Sequence, residues 1–267
     1  MIKISIITVC FNSESYIEQT IKSVLSQSYN DIEYIIIDGG STDGTIEIIR
    51  KYQERIAVFV SEPDENMYDA INKGMKFATG DYIAVLNSDD IYLSSDVISN
   101  VVSKLKRMPQ KYKAIYGNLK KITANGQFIK TKRGFQVNFR TLLCSKKLTF
   151  VGHGTLFISK NACIDIGEYE YSKFKAAADY DYILRLFRKF RCQYVNIDIM
   201  GFRVHEISIT SSGKIDEERK SVLSKNGYDE ILCVEKLIRY YFSWGYFAMI
   251  NIKSMGIDNL KSFLLYK

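Results

Sequence analysis

Proline, histidine and paired cysteines are scarce in this sequence. Of its 267 residues two are proline and two are histidine, and the five cysteines are scattered without a C-x-x-C pair (Cys10, Cys144, Cys163, Cys192 and Cys233). This spacing excludes the usual zinc sites and is typical of reduced thiols in a cytosolic protein. Few prolines together with 46% hydrophobic residues predict a compact fold and not a disordered chain.

Long apolar runs are absent as well. No stretch is long enough and free enough of charge to span a bilayer. The first residues, Met1–Ile7, lack the layout of a signal peptide and are interpreted as a strand. We therefore expect a cytoplasmic protein of one large domain, or of one domain with a subdomain.

Acidic residues are missing from one segment. Residues 104–147 hold 13 basic and no acidic side chains, whereas residues 1–103 hold 7 basic and 16 acidic ones. Such a run is either a solvated face or a surface that an anionic partner selects. The aromatic residues between the charges suit an anionic membrane surface or a lipid-linked diphosphate. No nucleic-acid-binding motif accompanies the charge, so nucleic acid is not predicted as a partner.

The first ninety residues alternate short apolar strands with amphipathic helices. Strands are predicted at Lys3–Val9, Glu33–Ile37, Ile56–Val60 and Tyr82–Leu86. Strands joined by helices at this spacing predict a parallel, doubly wound α/β sheet. The expected helix starts are Asn12 or Ser13, Thr42 or Asp43, and Asp64–Asn66.

The second half is less regular. The pair Asn125-Gly126 predicts a hairpin turn. Periodicity predicts strands at 114–122, 127–131, 154–159 and 193–204, and helices at 94–106, 177–190, 216–225 and 230–242. We expect one α/β domain over residues 1–213, followed by a C-terminal helical extension over 214–267.

The sequence Asn87-Ser88-Asp89-Asp90 directly follows the fourth predicted strand. Ligands of open α/β sheets bind at the carboxyl ends of the strands. Adjacent carboxylates repel each other unless a cation or hydrogen bonds compensate. Hard divalent cations, which also bind phosphate oxygens, are the usual partners. The alternative is an Asx turn that caps the next helix, and these four residues alone leave the two interpretations even.

A glycine-rich turn, residues 38–44, follows the second predicted strand. Its three glycines let the backbone approach a ligand closely, and Asp38 offers an acceptor for a uracil N–H or a ribose hydroxyl. The alternative is a tight turn with a helix cap. The turn is not G-x-G-x-x-G, it does not follow the first strand, and it lacks a Walker lysine, so dinucleotide and P-loop sites are disfavoured.

Two further groups of polar residues lie on predicted helices. Tyr68, Asp69, Asn72 and Lys73 have spacings that bring their side chains together near the same sheet edge. Residues 179–185 begin another helix, where two aspartates either favour the helix N-terminus or include a general base. The candidates there are Asp179 as the base and Arg185, one turn after Asp181, as an ionic partner.

The ordered set of motifs resembles the family 2 glycosyltransferases of the GT-A fold. The resemblance runs from about Ile4 to about His205 and is carried by Ser5–Asn12, Asp38–Thr45, Glu62–Asp64, Asn72–Gly74, Gly80–Ile83 and Asn87–Asp90. It implies a Rossmann-like, mostly parallel doubly wound sheet with a small antiparallel part and C-terminal helices. The chain is most similar to bacterial enzymes that build O-antigen and related surface polysaccharides.

The resemblance implies inverting, metal-dependent transfer of one sugar from a nucleotide-sugar, with a UDP-sugar expected. Residues 1–103 would bind this donor and residues 104–213 the acceptor. Asn87-Ser88-Asp89 occupies the Asp-x-Asp position, so Asp89 is the expected ligand of Mn²⁺ or Mg²⁺, with His205 completing the metal or diphosphate site. The expected nucleotide-sugar contacts are Thr8, Cys10, Asn12, Asp38, Gly39, Ser41, Asp64, Tyr68, Asn72, Lys73, Asn87, Ser88 and Asp90.

The resemblance also implies the catalytic base and the acceptor. Asp179 matches the base of the usual Glu-Asp pair, although Ala178 replaces the glutamate, and Asp181 is the fallback, supported by Arg185. The processive members' Gln-x-x-Arg-Trp motif is absent, which indicates one sugar per acceptor. The expected acceptor is a lipid-diphosphate-linked saccharide at the inner face of the membrane, where the protein would be peripheral.

Three alternatives stay open. The aromatic stretch at 240–247 is a membrane contact, ordinary core or a homodimer contact. The whole chain could be a non-catalytic nucleotide-sugar or polysaccharide binding protein on the same fold. It could also be a nucleotidyltransferase, but the Gly-rich basic loop of such enzymes is absent after the first strand.

Overall fold

The computed structural model describes residues 1–145, 150–204 and 214–255. His205 and the end of the basic segment, Lys146 and Lys147, lie outside these ranges.

A single mixed sheet forms the centre of the molecule. Its strands are β1 (Ile4–Cys10), β2 (Ile32–Asp38), β3 (Val58–Ser61), β4 (Tyr82–Val85), β5 (Ile91–Tyr92), β6 (Tyr112–Ile122), β7 (Phe128–Lys132), β8 (Phe157–Ser159) and β9 (Arg191–Arg203). They are arranged in the order β3-β2-β1-β4-β8-β6-β9-β5, with β7 paired to β6.

The parallel part of the sheet confirms the prediction for the first ninety residues. Strands β1 to β4 are parallel neighbours, so their carboxyl ends lie at one edge. Strand β8 is antiparallel to both β4 and β6, which makes the antiparallel part small. Because β9 is parallel to β6, these two long strands end at the same edge as β1 and β4.

Helices cover both faces of the sheet. They are α1 (Ile17–Leu25), α2 (Thr45–Arg50), α3 (Met67–Phe77), α4 (Val97–Arg107), α5 (Phe139–Cys144), α6 (Lys160–Ile166), α7 (Ala178–Lys189), α8 (Lys214–Lys225) and α9 (Cys233–Met255). The buried residues form one apolar cluster shared with α3 and α7 and another shared with α1 and α4. The fold is therefore doubly wound.

Two local expectations were wrong. Neither Asn12 nor Ser13 caps α1, which begins at Ile17 without a side-chain cap. Asn12 instead has a left-handed backbone, φ 46°, and its side chain accepts from the Thr42 amide at 2.9 Å. The strand expected at 154–159 is confined to β8, because residues 153–155 form a 3₁₀ turn.

The C-terminal helices pack on the rest of the protein. Helix α8 contacts α7, and α9 contacts α5 and β7. Among the described residues, no helix is long and apolar enough to cross a membrane.

Candidate active site

The loop after β4 is held rigidly at the sheet edge. The Ser88 and Ser13 hydroxyls are 2.8 Å apart. The Thr20 hydroxyl donates to the backbone carbonyls of Ser88 and Asp90, at 2.7 Å each. Asp89 stays half-exposed, and the side-chain carbonyl of Asn87 is buried without a hydrogen-bond partner among the described residues. The loop thus presents two oxygen donors from a fixed backbone.

Arg203, at the end of β9, holds the loop after β4 in place. Its side chain is fully buried, and its guanidinium donates to the Asp89 carbonyl at 2.8 Å and to the carbonyl of Ala124 in the β6–β7 turn. Its backbone amide donates to Asp90 at 3.0 Å. The sequence analysis missed Arg203, because a charged residue that ends a strand is ordinarily solvated.

Asp90 supports the loop and does not face a sugar. Its side chain is only 2% exposed. Burial and then the neighbouring Asp89 charge raise its pKa well above the usual range, against the opposing effect of Arg203. A carboxyl group in this setting is stabilised by its hydrogen bond to Arg203. Of the two roles expected for Asp90, the structure favours support of Asp89.

Asp38 organises the turn after β2 and has no free acceptor. Its carboxylate accepts from the amides of Gly40 at 3.1 Å and Ser41 at 2.9 Å. It also accepts from the hydroxyls of Ser41 and Ser61. The side chain is 0% exposed and these donors surround it, and the expected contact between Asp38 and the nucleoside stays a prediction.

Three other expected contacts are internal. Thr8 is 0% exposed and its hydroxyl accepts from Tyr34 at 3.1 Å. Cys10 is 6% exposed, and burial raises the pKa of its thiol. Ser41 is 8% exposed and accepts from the Asn12 amide at 2.8 Å. These residues tie the loops after β1 and β2 together, and their contact with a nucleotide-sugar stays a prediction.

Asp64, a second expected contact of the nucleotide-sugar, lies beside the turn after β2. Its Oδ1 is 2.5 Å from Lys73 Nζ, whereas its Oδ2 is buried with no hydrogen-bond partner among the described residues. Burial raises the Asp64 pKa, and Lys73 opposes this. A Cβ added to Gly39 would lie 3.2 Å from Asp64 Oδ2. The missing side chain at Gly39 therefore leaves Asp64 facing the backbone turn directly.

Lys73 forms ion pairs with Asp64 and with two other acidic residues near it. It lies 2.9 Å from Glu62 and 3.5 Å from Asp69, in addition to Asp64. Although partial burial works against it, hydrogen bonds to Asp64 and Glu62 raise the pKa of Lys73. Lys73 therefore orients Asp64 and compensates its charge.

Phe11 is a site residue that the sequence analysis missed. Its ring is 62% exposed and lies 3.5 Å from the position of a Gly39 Cβ. An exposed aromatic ring beside a glycine turn offers a stacking surface for a planar ligand. Its place after the last residue of β1 was the available signal.

Asp179 is held at the first turn of α7, across the cleft from the metal-binding candidates. Its Oδ1 accepts from the Tyr180 amide at 2.8 Å and from the Tyr68 hydroxyl of α3 at 3.2 Å. Among the described residues, donors are recorded only at Oδ1, so the second oxygen remains available to a substrate hydroxyl.

A residue of α8, Glu218, caps the backbone amides of the loop before Asp179. Glu218 accepts from the amides of Ala176 at 2.7 Å and Ala177 at 3.0 Å. It also accepts from the Lys175 amide at 3.2 Å. These amides precede α7, which has no side-chain cap of its own. No local pattern in the sequence indicates that Glu218 caps these amides, because the contact joins residues far apart in the chain.

Asp181 is a structural residue and not a second base. It is 0% exposed, and it pairs with Arg185 at 2.7 Å and Lys225 at 2.9 Å. Asn226 donates to the same carboxylate at 3.3 Å. The pairing of Asp181 with Arg185 was predicted, and burial with these partners argues for Asp179 over Asp181 as the candidate base.

Asn72 is a second structural residue. Its amide side chain donates to the Tyr169 carbonyl at 3.0 Å and accepts from the Tyr169 amide at 2.9 Å. Its expected contact with the nucleotide-sugar stays a prediction. Tyr169 stacks between Tyr68 and Tyr182 and lies 2.7 Å from His153 Nε2. Burial lowers the His153 pKa, so this histidine is an uncharged part of the wall behind Asp179.

The donor set at the edge suits a cation that is shared with phosphate. Among the described residues, no group of three or more His, Cys, Asp or Glu side chains could hold a metal. Asp89 and the unpaired carbonyl of Asn87 are hard oxygen donors on one loop. Mg²⁺ is commonly held by one or two carboxylates together with substrate phosphates, so these residues fit a cation that arrives with a nucleotide.

Comparison with known proteins agrees with this chemistry. The family profile described as "Glycosyl transferase family 2" matches residues 5–166. An uncharacterised glycosyltransferase of Mycobacterium tuberculosis is 32% identical over 184 residues, 68% of each chain. TuaG of Bacillus subtilis, whose name assigns it to teichuronic acid biosynthesis, is 44% identical over 90 residues, 33% of this chain and 36% of TuaG.

Solved structures share the fold at low identity. S. aureus TarS 1-349 in complex with UDP has a TM-score of 0.67 at 17% identity, covering 91% of this chain and 70% of that chain. A mannosyltransferase from Pyrobaculum calidifontis in complex with GDP-Man and Mn²⁺ has a TM-score of 0.59 at 17% identity, covering 100% and 81%. The expected GT-A fold is confirmed.

Proposed function

The chain belongs to glycosyl transferase family 2, and on that premise we propose that it transfers one sugar from a nucleotide-sugar to an acceptor hydroxyl with inversion. One observation carries the proposal. Asn87 and Asp89, like Gly39 and Asp64, follow parallel strands that end at one edge of the sheet. The half-exposed Asp179 is hydrogen-bonded to Tyr68 in the first turn of α3, the helix that follows β3. This edge is where an α/β sheet binds its ligand.

The donor nucleoside would lie between Phe11 and Asp64. A planar base can stack on the exposed ring of Phe11. A carboxylate only accepts hydrogen bonds, so Asp64 suits a base that offers an imide N–H, as uracil does. A buried acceptor without a partner costs about 1–3 kcal/mol, and a base N–H would recover this. These points support a UDP-sugar as the donor.

The diphosphate would bind at the loop after β4, where Asp89 and the Asn87 carbonyl would hold Mn²⁺ or Mg²⁺. A divalent cation at this position supplies charge neutralisation for a departing diphosphate. Ser88 and Arg203 keep the loop in place and contribute no ligand atom. His205 lies outside the described residues and stays a candidate from the sequence.

Asp179 is the proposed catalytic base. It takes the proton of the acceptor hydroxyl as that oxygen forms a bond to the anomeric carbon, and the bond from this carbon to the phosphate oxygen breaks. The bonding pair leaves with the nucleoside diphosphate. Tyr68 orients the carboxylate through Oδ1. A single displacement of this kind inverts the configuration at the anomeric carbon.

Donor and metal binding test the proposal directly. We expect UDP-sugars to raise the melting temperature more in Mn²⁺ than in EDTA. Asp89→Ala should weaken metal-dependent donor binding by at least about tenfold, or 1.4 kcal/mol. Calorimetric titration measures this affinity.

The matched control is Asp165→Ala, since Asp165 is half-exposed on α6. Its donor affinity should equal that of the wild type. Asp89→Ala with unchanged affinity in excess Mn²⁺ would refute the metal assignment. Donor binding without hydrolysis or transfer would favour the non-catalytic binding protein.

We further propose that the acceptor is a lipid-linked saccharide of bacterial surface polysaccharide assembly, and that α9 docks on the membrane that carries it. Four apolar residues of α9 share one helical stripe and are 63%, 65%, 77% and 48% exposed (Ile238, Tyr241, Phe242 and Met249). Exposed apolar stripes of this kind bury themselves in lipid interfaces. The chain's net charge of +7 favours an anionic surface.

Vesicle flotation tests this docking. The wild type should float with phosphatidylglycerol vesicles at low salt. Ile238→Ser with Phe242→Ser should weaken binding more than tenfold, because burial of each side chain contributes about 1.5–3 kcal/mol. Ile164→Ser is the control, since Ile164 is 69% exposed on α6. A wild type that stays with the soluble fraction and sediments as a dimer would assign the stripe to a second copy.

A further inference from the structure

Three lysines of the β6–β7 hairpin share one face of the sheet. Lys121 of β6 pairs with Lys130 of β7, and Lys132 pairs with Leu119. Side chains alternate between the two faces along a strand, so Lys121, Lys130 and Lys132 point to the same side as Leu119. All three are half-buried, which distinguishes them from a solvated row of surface lysines.

Acidic residues do not compensate two of these lysines. Burial lowers the pKa of Lys132 to about 8, and the charges of Lys121, Lys130 and Arg219 lower it further. Burial, followed by Lys130, also lowers the Lys121 pKa. Among the described residues, no carboxylate lies within ion-pairing distance of Lys121 or Lys132. Half-buried like charges are costly to hold together, so this face is prepared for an anion.

The adjacent lysine shows the contrast. Lys120 points to the opposite face, where it lies 3.1 Å from Asp198, and its Nζ lies 5.8 Å from the centre of the Phe128 ring. The charge of Lys120 is therefore balanced within the protein. The solvated-face interpretation of the basic segment suits Lys120 and fails for Lys121 and Lys132.

This lysine cluster lies on the acceptor side of the cleft. The charge of Arg219 on α8 lowers the pKa of Lys132, and it opposes the rise that burial causes in the pKa of Tyr180, the residue after Asp179. The Tyr180 hydroxyl is buried without a hydrogen-bond partner among the described residues. The turn of the hairpin is tied to Asp89 through Arg203. The cluster thus flanks the proposed base without belonging to the donor loop.

Apolar side chains connect the end of β7 with α9. Phe135 follows β7, and its ring packs against Tyr246 of α9 with centres 4.9 Å apart. Cations beside an exposed apolar surface match an anion that is carried on a hydrocarbon chain.

We propose that Lys121, Lys130, Lys132 and Arg219 bind the diphosphate of an acceptor whose sugar is linked to a lipid diphosphate. This inference rests on the proposed function and names the group that the acceptor side recognises. The cations hold the acceptor's diphosphate, and the hydrocarbon chain leaves toward the exposed apolar stripe of α9. The sugar hydroxyl is thereby presented to Asp179.

Equilibrium dialysis with geranyl diphosphate tests this site, with the donor site filled by saturating UDP and Mn²⁺. We expect Lys121→Gln and Lys132→Gln each to weaken binding about tenfold or more, and Lys120→Gln to leave it unchanged. Geraniol, which lacks the anion, should bind all four proteins weakly and equally. Inorganic pyrophosphate should bind more weakly than geranyl diphosphate, because it lacks the apolar contact.

The outcomes separate this inference from the proposed function. Equal geranyl diphosphate affinity in the wild type and in Lys132→Gln and Lys121→Gln would overturn it, as would pyrophosphate binding as tightly as geranyl diphosphate. UDP-sugar affinity is measured on the same proteins. If UDP-sugar still binds with Mn²⁺, only the acceptor site is refuted, whereas loss of donor binding in the wild type would refute the proposed function itself.

Discussion

Replacing Asp179 with asparagine is expected to abolish sugar transfer and to leave donor binding unchanged. The amide keeps the shape of the side chain and can still accept the hydrogen bonds of Tyr68 and the Tyr180 amide at its carbonyl oxygen. It cannot take a proton. General base catalysis contributes about 10²–10⁴-fold, so the transfer rate should fall by this factor while the donor Kd stays constant.

The control for this variant is Asp165→Asn, which removes a charge from a half-exposed position and should retain full turnover. Comparing the melting temperatures of both variants with that of the wild type excludes misfolding. Wild-type turnover by Asp179→Asn would show that another group accepts the proton.

Replacing Arg203 with methionine is expected to destabilise the protein and to weaken metal-dependent donor binding together. The guanidinium is fully buried and joins the β6–β7 turn, Gln19 of α1 and the Asp89 carbonyl. Removing one partner of a buried charge network costs about 3–5 kcal/mol. For a chain of this size each kcal/mol lowers the melting temperature by about 2–4 °C, so we expect a loss near 10 °C by calorimetry.

Arg140→Met is the matched control, since Arg140 is 61% exposed and pairs with Glu235 at the surface. Such pairs contribute about 0–1 kcal/mol, so this variant should melt within about 4 °C of the wild type. Equal melting temperatures for the two variants would show that Arg203 does not hold the loop.

The sequence predicted the parallel half of the fold because its short strands are apolar and are separated by helices with a clear apolar stripe. It did not predict β5, α5 or α6, because a strand of two residues or a helix of six or seven is too short to show a period. The longer elements α7 and β9 were predicted to within a few residues of their observed bounds.

The position of the site was predictable, since carboxyl ends of parallel strands meet at one edge. Which of the carboxylates faces the cleft was not predictable in this way. Asp38 and Asp64 both follow strands, but the turn after β2 folds its own amides onto Asp38, whereas Asp64 keeps one oxygen unpaired. That difference depends on loop conformation. The contributions of Arg203 and Glu218 depend on contacts far apart in sequence, which no local pattern records.

The cap that Glu218 places on the loop before Asp179 has a consequence for how this protein can be divided. Truncation at residue 213 would remove Glu218 and also Lys225, which pairs with buried Asp181, and Asn226, which donates a hydrogen bond to it. We infer that residues 214–226 brace the helix that carries Asp179 and are not a detachable module.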